Sequence, residues 1–296
     1  MSDMQFKKYQ HIERLGTPAT DGILDGMVYV FDKLDGTNTS VYLNDSGEVE
    51  VASRNRALTP NTDDNHGVRA HILSDSRYKD YLAENPTHRL YGEWLVPHTV
   101  RAYLDDAWEQ FYVFDVMDGE RYLPYDEYKP VCAVHGILTI PPIARLSNPT
   151  FDEIAALQNE CKFLVKSGCL CEGIVVKRYD FVNRFGKTVW AKLVRPAAKV
   201  AVKMQKPIDA ESVEAAIVER FLPPDLIEKE YAKIVSDAGY WDKKFIPKLL
   251  GVMWHTFITE ETFNFLRHFK NPKVDFKLLN ALVIQDIKSA KPELFA

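Results

Sequence analysis

The spacing of apolar residues changes once along this chain, near Pro207, and that change limits the folds the chain can adopt. Before it, short β-branched and aromatic runs alternate with turn residues, which is typical of a mostly antiparallel sheet. After it, apolar residues such as Val213 and Ile217 recur at helical intervals. We therefore predict an α+β fold in two domains: residues 1–205, with antiparallel sheets and flanking helices, and residues 206–296, entirely helical.

The predicted strands of the first domain follow from runs of β-branched and aromatic residues. They are Met27–Leu34, Asn38–Leu43, Glu48–Ser53, Arg89–Leu95, Phe111–Met117, Gly173–Tyr179 and Lys187–Val194. The turn residues 44–47 predict a hairpin between the second and third strands. Thr150 and Glu153 have the spacing of a capping box, which predicts a helix that begins there.

Composition excludes some classes of protein. With 46% hydrophobic and 27% charged residues, and no apolar run near the ~20 residues of a membrane span, the chain reads as a soluble protein without a membrane role. Its polar start, Met1 to Tyr9, lacks the features of a secretory signal, so we expect a cytoplasmic location.

The net charge of −5 gives no global nucleic-acid signal. Between Lys177 and Lys206, however, nine basic residues accompany one acidic residue, Asp180, which suits contact with a phosphate backbone.

The four cysteines are too few for a disulfide scaffold. Only Cys169 and Cys171 are close in sequence, and no matching pair of cysteines or histidines accompanies them. We therefore expect no zinc site and interpret these residues, with Cys132 and Cys161, as buried thiols of a reducing compartment.

The segment with the most chemical information is Asp32-Lys33-Leu34-Asp35-Gly36-Thr37-Asn38, at the end of a predicted strand. A lysine beside a glycine turn that lets a nucleotide approach the backbone could attack phosphorus. A free lysine, with a pKa near ~10.4, is almost wholly protonated at neutral pH. Cationic neighbours and a divalent metal would favour its neutral form and hold the phosphates.

Other motifs follow this segment in a fixed order. They are Ser53-Arg54-Asn55, Tyr91-Gly92-Glu93-Trp94, Phe111-Tyr112-Val113-Phe114-Asp115, Glu172-Gly173-Ile174-Val175-Val176-Lys177 and Trp190-Ala191-Lys192. This series resembles the covalent nucleotidyltransferases, the superfamily of DNA ligases, RNA ligases and mRNA capping enzymes. The opening Phe6-Lys7-Lys8-Tyr9, the Gly-Thr-Asn after Lys33 and the helical second domain make it most similar to the RNA ligase 2 family.

The resemblance implies a nucleotidyltransferase domain that acts as an ATP-dependent RNA ligase with Mg²⁺ or Mn²⁺. Lys33 would carry AMP, the AMP would pass to a 5′-phosphate end, and a 3′-hydroxyl would displace it. The implied partner is RNA with such ends, including a nicked duplex, and the protein would be a monomer.

The resemblance also implies roles for individual residues. Lys33, Lys177 and Lys192 would be catalytic. The nucleotide would be bound by Asp32, Leu34, Asn38, Arg54, Glu93, Phe114, Glu172, Lys177 and Lys192. Glu172, and Asn38 through water, would hold the metal, while Thr37, Arg54 and Arg195 would contact the nucleic acid.

The sequence departs from the family pattern in three places. Lys192 is followed by Leu193 and Val194, so Arg195 would take the role of the usual second lysine. Asn65-His66 stands where the phage enzyme has an aromatic pair. Asp35 is the superfamily's commoner residue in the nucleophile motif, where the phage enzyme has histidine.

Three alternatives stay open at this point. Two are other enzymes of the superfamily: an ATP-dependent DNA ligase and a GTP-using capping enzyme. The third is a non-catalytic RNA- or nucleotide-binding module, which would have no need for a nucleophilic lysine beside cationic groups.

Overall fold

The fold is α+β, as the sequence predicts. The computed structural model describes residues 6–61, 64–97, 100–195, 212–223 and 225–295. The chain divides into two compact units, 1–195 and 196–296. The predicted domain boundary near residue 205 falls among residues 196–211, which lie outside the described residues.

The first unit is built on two β-sheets. Its strands are β1 (Glu13–Arg14), β2 (Met27–Lys33), β3 (Thr37–Leu43), β4 (Val49–Ser53), β5 (His88–Trp94), β6 (Phe111–Asp118), β7 (Arg121–Tyr122), β8 (Pro142–Ser147), β9 (Gly173–Lys177) and β10 (Ala191–Val194). Among the described residues, sheet A has the order β1-β10-β9-β2-β8 and sheet B the order β4-β3-β5-β6-β7. Neighbouring strands are antiparallel except β1 and β10, which are parallel.

Helices flank these sheets. They are α1 (Val68–Ser74), α2 (Ser76–Glu84), α3 (Tyr125–Val134) and α4 (Phe151–Ala156). The predicted capping box is present at α4, where the Thr150 side chain and the Glu153 side chain each bond the other residue's backbone N–H. The hairpin between β3 and β4 also forms, with Gly47 at φ 78°.

Strand alternation gives each sheet two different faces. The main core contains Val28, Val30 and Ile174 of sheet A. It also contains residues of the flanking helices and one face of sheet B, the face that carries Val41 and Leu90. The opposite faces of the two sheets contribute to a smaller cluster, in which Val175 of sheet A packs with Tyr91 and other residues of sheet B. The space between these inner faces contains Lys33 and most of the predicted site.

The second unit is helical in its described part. Its helices are α5 (Val213–Phe221), α6 (Leu226–Ala238), α7 (Ile246–His268) and α8 (Phe276–Ala290). They share a core of apolar residues spaced at helical intervals, for example Leu249, Met253 and Phe257 on α7. Ser212 and Asp275 cap the N-termini of α5 and α8 with side-chain hydrogen bonds. In the described residues, no helix of either unit is long and apolar enough to span a bilayer.

Six of the seven predicted strands form within two residues of the predicted bounds. The exception is Lys187–Val194, of which only Ala191–Val194 is a strand, because the preceding residues form a turn around Gly186 and Asn183. The prediction missed β1, β7 and β8. The first two have only two residues each, too few to show a period, and β8 begins with a proline that usually argues against a strand.

Candidate active site

The Lys33 amine lies at the carboxyl end of β2 and forms a salt bridge with Glu172. The register of the sheet explains the pairing, since Lys33 lies opposite Gly173, the residue after Glu172. Both side chains are mostly buried, with 22% and 11% exposed. Two groups that are far apart in sequence are thus held against each other at the edge of the space between the sheets.

Glu93 provides a second carboxylate beside Lys33. It lies on β5, and its Oε1 accepts a hydrogen bond of 2.9 Å from the backbone N–H of Gly36. Burial raises the pKa of Glu93 to about 7, and the nearby Asp35 and Glu172 carboxylates act in the same direction, whereas Lys33 and the Gly36 bond oppose the shift. Two carboxylates, Glu93 and Glu172, are thus close to Lys33, and their oxygen atoms are ligands that suit a divalent cation.

Two glycines allow the chain segments of the site to approach closely. A Cβ at Gly36 would collide with the backbone oxygen of Trp94, and a Cβ at Gly173 would collide with that of Leu193. The glycine of the nucleophile motif is thus required by contact with strand β5. This differs from the sequence interpretation, in which Gly36 makes room for a nucleotide.

Asn38 lies opposite Glu93 in the register of β3 and β5, so the two side chains share the inner face of sheet B. Arg54 follows β4 directly, in the turn closed by the hydrogen bond from the Ser53 N–H to the Arg56 carbonyl, and it is exposed. Thr37 pairs with Trp94 and belongs to the other face. The structure therefore brings Asn38 to the side of Glu93, but it does not bring the Thr37 side chain there, and Arg54 lies in an exposed turn.

Lys177 lies on the same face of sheet A as Lys33, but far along the strand. Lys177 pairs with Tyr29, whereas Lys33 pairs with Gly173. The two lysines are therefore separated by four residues along the strand direction, or about 13 Å. Its buried amine bonds Asp115 at 2.8 Å and the Phe114 carbonyl at 2.6 Å. Burial lowers the pKa of Lys177, although the Asp115 carboxylate acts in the opposite direction. This ammonium is engaged by sheet B, so the structure does not place it beside Lys33 as the catalytic interpretation expects.

Phe114 lies at an irregularity of β6 and is half-buried. Tyr91 pairs with Asp115 and Gly92 with Val113, so Phe114 is an extra residue in the ladder, and such bulges redirect side chains. Its ring contacts Tyr9, with 5.0 Å between ring centroids, and lies 5.6 Å from the Lys177 amine. The ring thus belongs to the inner space, where a planar base could stack on it.

Lys192 is the lysine that the sheet places nearer to Lys33. Lys192 pairs with Val175 on β9 and lies on the same face of sheet A as Lys33. The positions of Lys192 and Lys33 differ by two strands across the sheet and by two residues along it, which corresponds to about 12 Å between their Cα atoms. Two extended lysine side chains can converge over that distance. Arg14 on β1 pairs with Lys192 and adds a second cationic residue. The sequence analysis missed Arg14 because a two-residue strand carries no periodic signal.

The remaining predicted residues direct their side chains elsewhere. Asp32 and Leu34 flank Lys33, so strand alternation turns them to the back of the sheet. The Asp32 carboxylate accepts a hydrogen bond of 3.2 Å from the Phe163 N–H, and Leu34 belongs to the main core. The Arg195 guanidinium bonds the Gln158 carbonyl. Only the backbone groups of Asp32 and Leu34 could face a nucleotide on the Lys33 side.

Taken together, the inner face combines one amine with two carboxylates at Lys33, Glu172 and Glu93, a cationic pair at Lys192 and Arg14, and a half-buried aromatic ring at Phe114. An amine attached to a strand end between acidic and basic groups suits covalent transfer of a phosphoryl group, in which positioning and charge compensation dominate.

Comparison with known proteins agrees with this reading of the fold. The chain is similar to structures of an RNA ligase from Naegleria gruberi: a mutant in its apo form (22% identity, TM-score 0.50), a mutant with ATP and Mn (21%, 0.49) and a mutant with AMP and Mn (22%, 0.48). Each match covers 64% of this chain and 55–56% of the other chain, so this chain spans little more than half the length of those proteins.

At this identity, the match with a TM-score of 0.50 establishes a shared fold. No curated protein sequence matches the chain significantly. A sequence model of the family described as "RNA ligase" matches residues 26–194, which is more than half of the chain and includes Lys33, Glu93, Glu172 and Lys192. The chain therefore belongs to the RNA ligase family.

Proposed function

We propose that this protein is an ATP-dependent RNA ligase that joins a 3′-hydroxyl end to a 5′-phosphate end, with Lys33 as the nucleophile. The observation that carries the proposal is the contact of the Lys33 amine with Glu172, with Glu93 beside them on the Gly36 turn. A lysine with only a structural role at a strand end would not need this set of converging ionisable groups.

In the first step, the Lys33 ammonium loses a proton, the neutral Nζ forms a bond to the α-phosphorus of ATP as the bond to pyrophosphate breaks, and a second proton then leaves Nζ. The salt bridge engages the same amine, so Glu172 must release it before attack. A cation at Glu172 would favour that release, and Lys192 and Arg14 would compensate charge on the phosphates.

The donors present fit a divalent magnesium or manganese ion. Glu172 and Glu93 are carboxylates with hard oxygen ligands, and Asn38 lies beside Glu93. Glu172 would hold the ion, with Asn38 acting through water. When bound, the ion supplies charge neutralisation at the phosphates.

The nucleotide would lie on the inner face of the two sheets. Phe114 would stack on the adenine, and Glu93 and Asn38 would bond the ribose hydroxyls. In the later steps AMP passes from Lys33 to a 5′-phosphate, forming a pyrophosphate bond, and a 3′-hydroxyl then attacks that phosphate and releases AMP. The exposed Arg54 would contact the incoming strand.

The proposal is tested by covalent labelling of the full-length protein with ATP radiolabelled at the α-phosphate, in the presence of magnesium. We expect a labelled protein whose label is released by acid, as for a phosphoramidate. Lys33→Ala should lose all of the label, while Lys166→Ala, which removes an exposed lysine paired with Asp105, should keep it. Labelling of Lys33→Ala at the normal level would contradict the assignment of the nucleophile.

Two further comparisons separate ligation from its alternatives. Labelling by GTP but not ATP would indicate a capping enzyme. Nicked duplexes with RNA or DNA on the 3′-hydroxyl side distinguish the two kinds of ligase, and we expect sealing to be faster with RNA. Equal sealing of both would remove the RNA preference from the proposal.

A further inference from the structure

Three metal-ligating side chains meet behind the nucleophile, on the face of β2 opposite Lys33. They are the carboxylate of Asp32 and the thiols of Cys161 and Cys171, whose ligand atoms all lie within 4.8 Å of one another. All three residues are buried. Two of them directly precede residues of the candidate active site: Asp32 comes before Lys33, and Cys171 comes before Glu172.

The backbone holds these groups in place. The Cys171 N–H donates to the Cys161 carbonyl at 2.9 Å, which brings the two cysteines together across the loop between them. The Cys161 thiol donates to the Gly173 carbonyl at 2.6 Å, and the Phe163 N–H donates to Asp32 at 3.2 Å. The loop is thus folded back on the ends of β2 and β9, with its sulfur atoms turned inward.

The chemistry of the three side chains suits a metal ion. The Asp32 residue is only 5% exposed, and in the described part of the chain no lysine or arginine forms an ion pair with it. A buried carboxylate without a cationic partner is unfavourable, and two neighbouring thiols contribute further potential anions. A disulfide between the cysteines would leave the carboxylate without a cation, whereas a divalent ion that replaces the two thiol protons coordinates all three groups at an unchanged net charge of the cluster.

The donor set and its dimensions suit zinc. Zinc prefers sulfur, nitrogen and carboxylate ligands in a tetrahedron, with bonds of about 2.0–2.3 Å, so that atoms bound to one ion lie about 3.6–3.8 Å apart. The three ligand atoms lie within 4.8 Å of one another, so the side chains would draw together to that spacing when the ion binds. Magnesium and calcium, which prefer oxygen, would be disfavoured by the two sulfur atoms.

We propose that Asp32, Cys161 and Cys171 form a structural zinc site that fastens the 161–172 loop to the back of the nucleophile strand, with water in the fourth position. On binding, two Zn–S bonds and one Zn–O bond form, and the two thiol protons leave to solvent. Nothing is oxidised or reduced. The expectation from sequence that the chain has no zinc site would then be wrong, because the third ligand lies 129 positions before Cys161, where no spacing rule finds it.

Metal analysis of the full-length protein, produced in zinc-supplemented medium and purified without chelator, tests the proposal. We expect about one zinc per chain. Cys161→Ser and Cys171→Ser should each reduce the zinc content by at least about tenfold. Cys132→Ser, which changes another buried cysteine on α3, is the matched control and should keep the metal.

Cobalt substitution of the wild-type protein gives a second measurement that does not depend on the folding of a variant. Coordination by thiolates should produce sulfur-to-cobalt charge-transfer absorption in the near ultraviolet. The proposal is overturned if the protein holds less than about one tenth of a zinc per chain, or if the Ser variants keep the zinc. It is also overturned if peptide mapping without reductant finds a Cys161–Cys171 disulfide.

Discussion

At the scale of single residues, strand alternation decides which parts of the nucleophile motif can take part in chemistry. Lys33 faces the space between the sheets, and its neighbours Asp32 and Leu34 face the opposite way. The motif is contiguous in sequence, but its side chains divide between a candidate active site and the support behind it. A role assigned to the motif as a whole must therefore be divided in the same way.

Glu93 is the residue whose ionisation should be visible in the stability of the protein. Its pKa is raised from 4.5 to about 7, mainly by burial, so the stabilising contribution of its protonated form is fully present below pH 4.5 and is lost as pH rises through about 7. We predict that, between pH 5 and pH 8, the free energy of unfolding falls by about 1–3 kcal/mol more in the wild type than in Glu93→Gln.

Urea unfolding of both proteins at several pH values measures this difference. Glu219→Gln, which removes an exposed carboxylate on α5, should follow the wild-type pH dependence and serves as the control. Parallel curves for the wild type and Glu93→Gln would show that the carboxylate ionises near its ordinary pH.

At the scale of elements, a buried ion pair connects the two sheets. Lys177 on β9 bonds Asp115 on β6, and Asp115 also accepts hydrogen bonds from Tyr9 at 2.5 Å and from Trp190 at 3.1 Å. These residues lie in or beside the small cluster that forms the inner faces. The network fixes how sheet A, which carries Lys33, faces sheet B, which carries Glu93 and Phe114.

We predict that Lys177→Met lowers the free energy of unfolding by about 3–5 kcal/mol, because it leaves the Asp115 charge buried and without its cation. Asp115→Asn should also destabilise, and the double variant should lose clearly less than the sum of the two. Lys166→Met breaks an exposed pair with Asp105 and should cost less than about 1 kcal/mol.

Chemical denaturation of the single and double variants gives the coupling energy between the two residues. Strictly additive losses would mean that the pair does not act as a unit. In that case the two sheets would be held together by the surrounding aromatic residues.

The sequence alone predicts where strands and helices lie better than it predicts which distant residues come into contact. Strands such as Met27–Lys33 and Phe111–Asp118 follow from local alternation, and the α4 capping box follows from two residues. Register is set by long-range pairing, so the sequence could not show that Lys177 lies far along the strand from Lys33. For the same reason it missed Arg14 beside Lys192 and the approach of Asp32 to two distant cysteines.

At the scale of the whole molecule, the two units have separate cores. The core clusters of the first unit end at Ala191, and the core of the second begins at Ile217 within the described residues, so no buried apolar residue belongs to both. Lys33, Glu93, Glu172 and Lys192 all belong to the first unit. The groups proposed for the first chemical step therefore come from one compact body.

We predict that a fragment of residues 1–195 folds cooperatively on its own, because its core clusters consist of its own residues, and that it still forms the covalent Lys33 adduct with ATP. Its sealing of nicked RNA should fall more than its labelling, since the helical unit is expected to help hold the nucleic acid. Denaturation monitored by near-UV circular dichroism, together with labelling and sealing assays against the full chain, measures both effects.

A fragment without a cooperative transition would show that the first unit depends on the helices for its stability. Labelling and sealing that decline equally would instead place the contribution of the helices in the first chemical step.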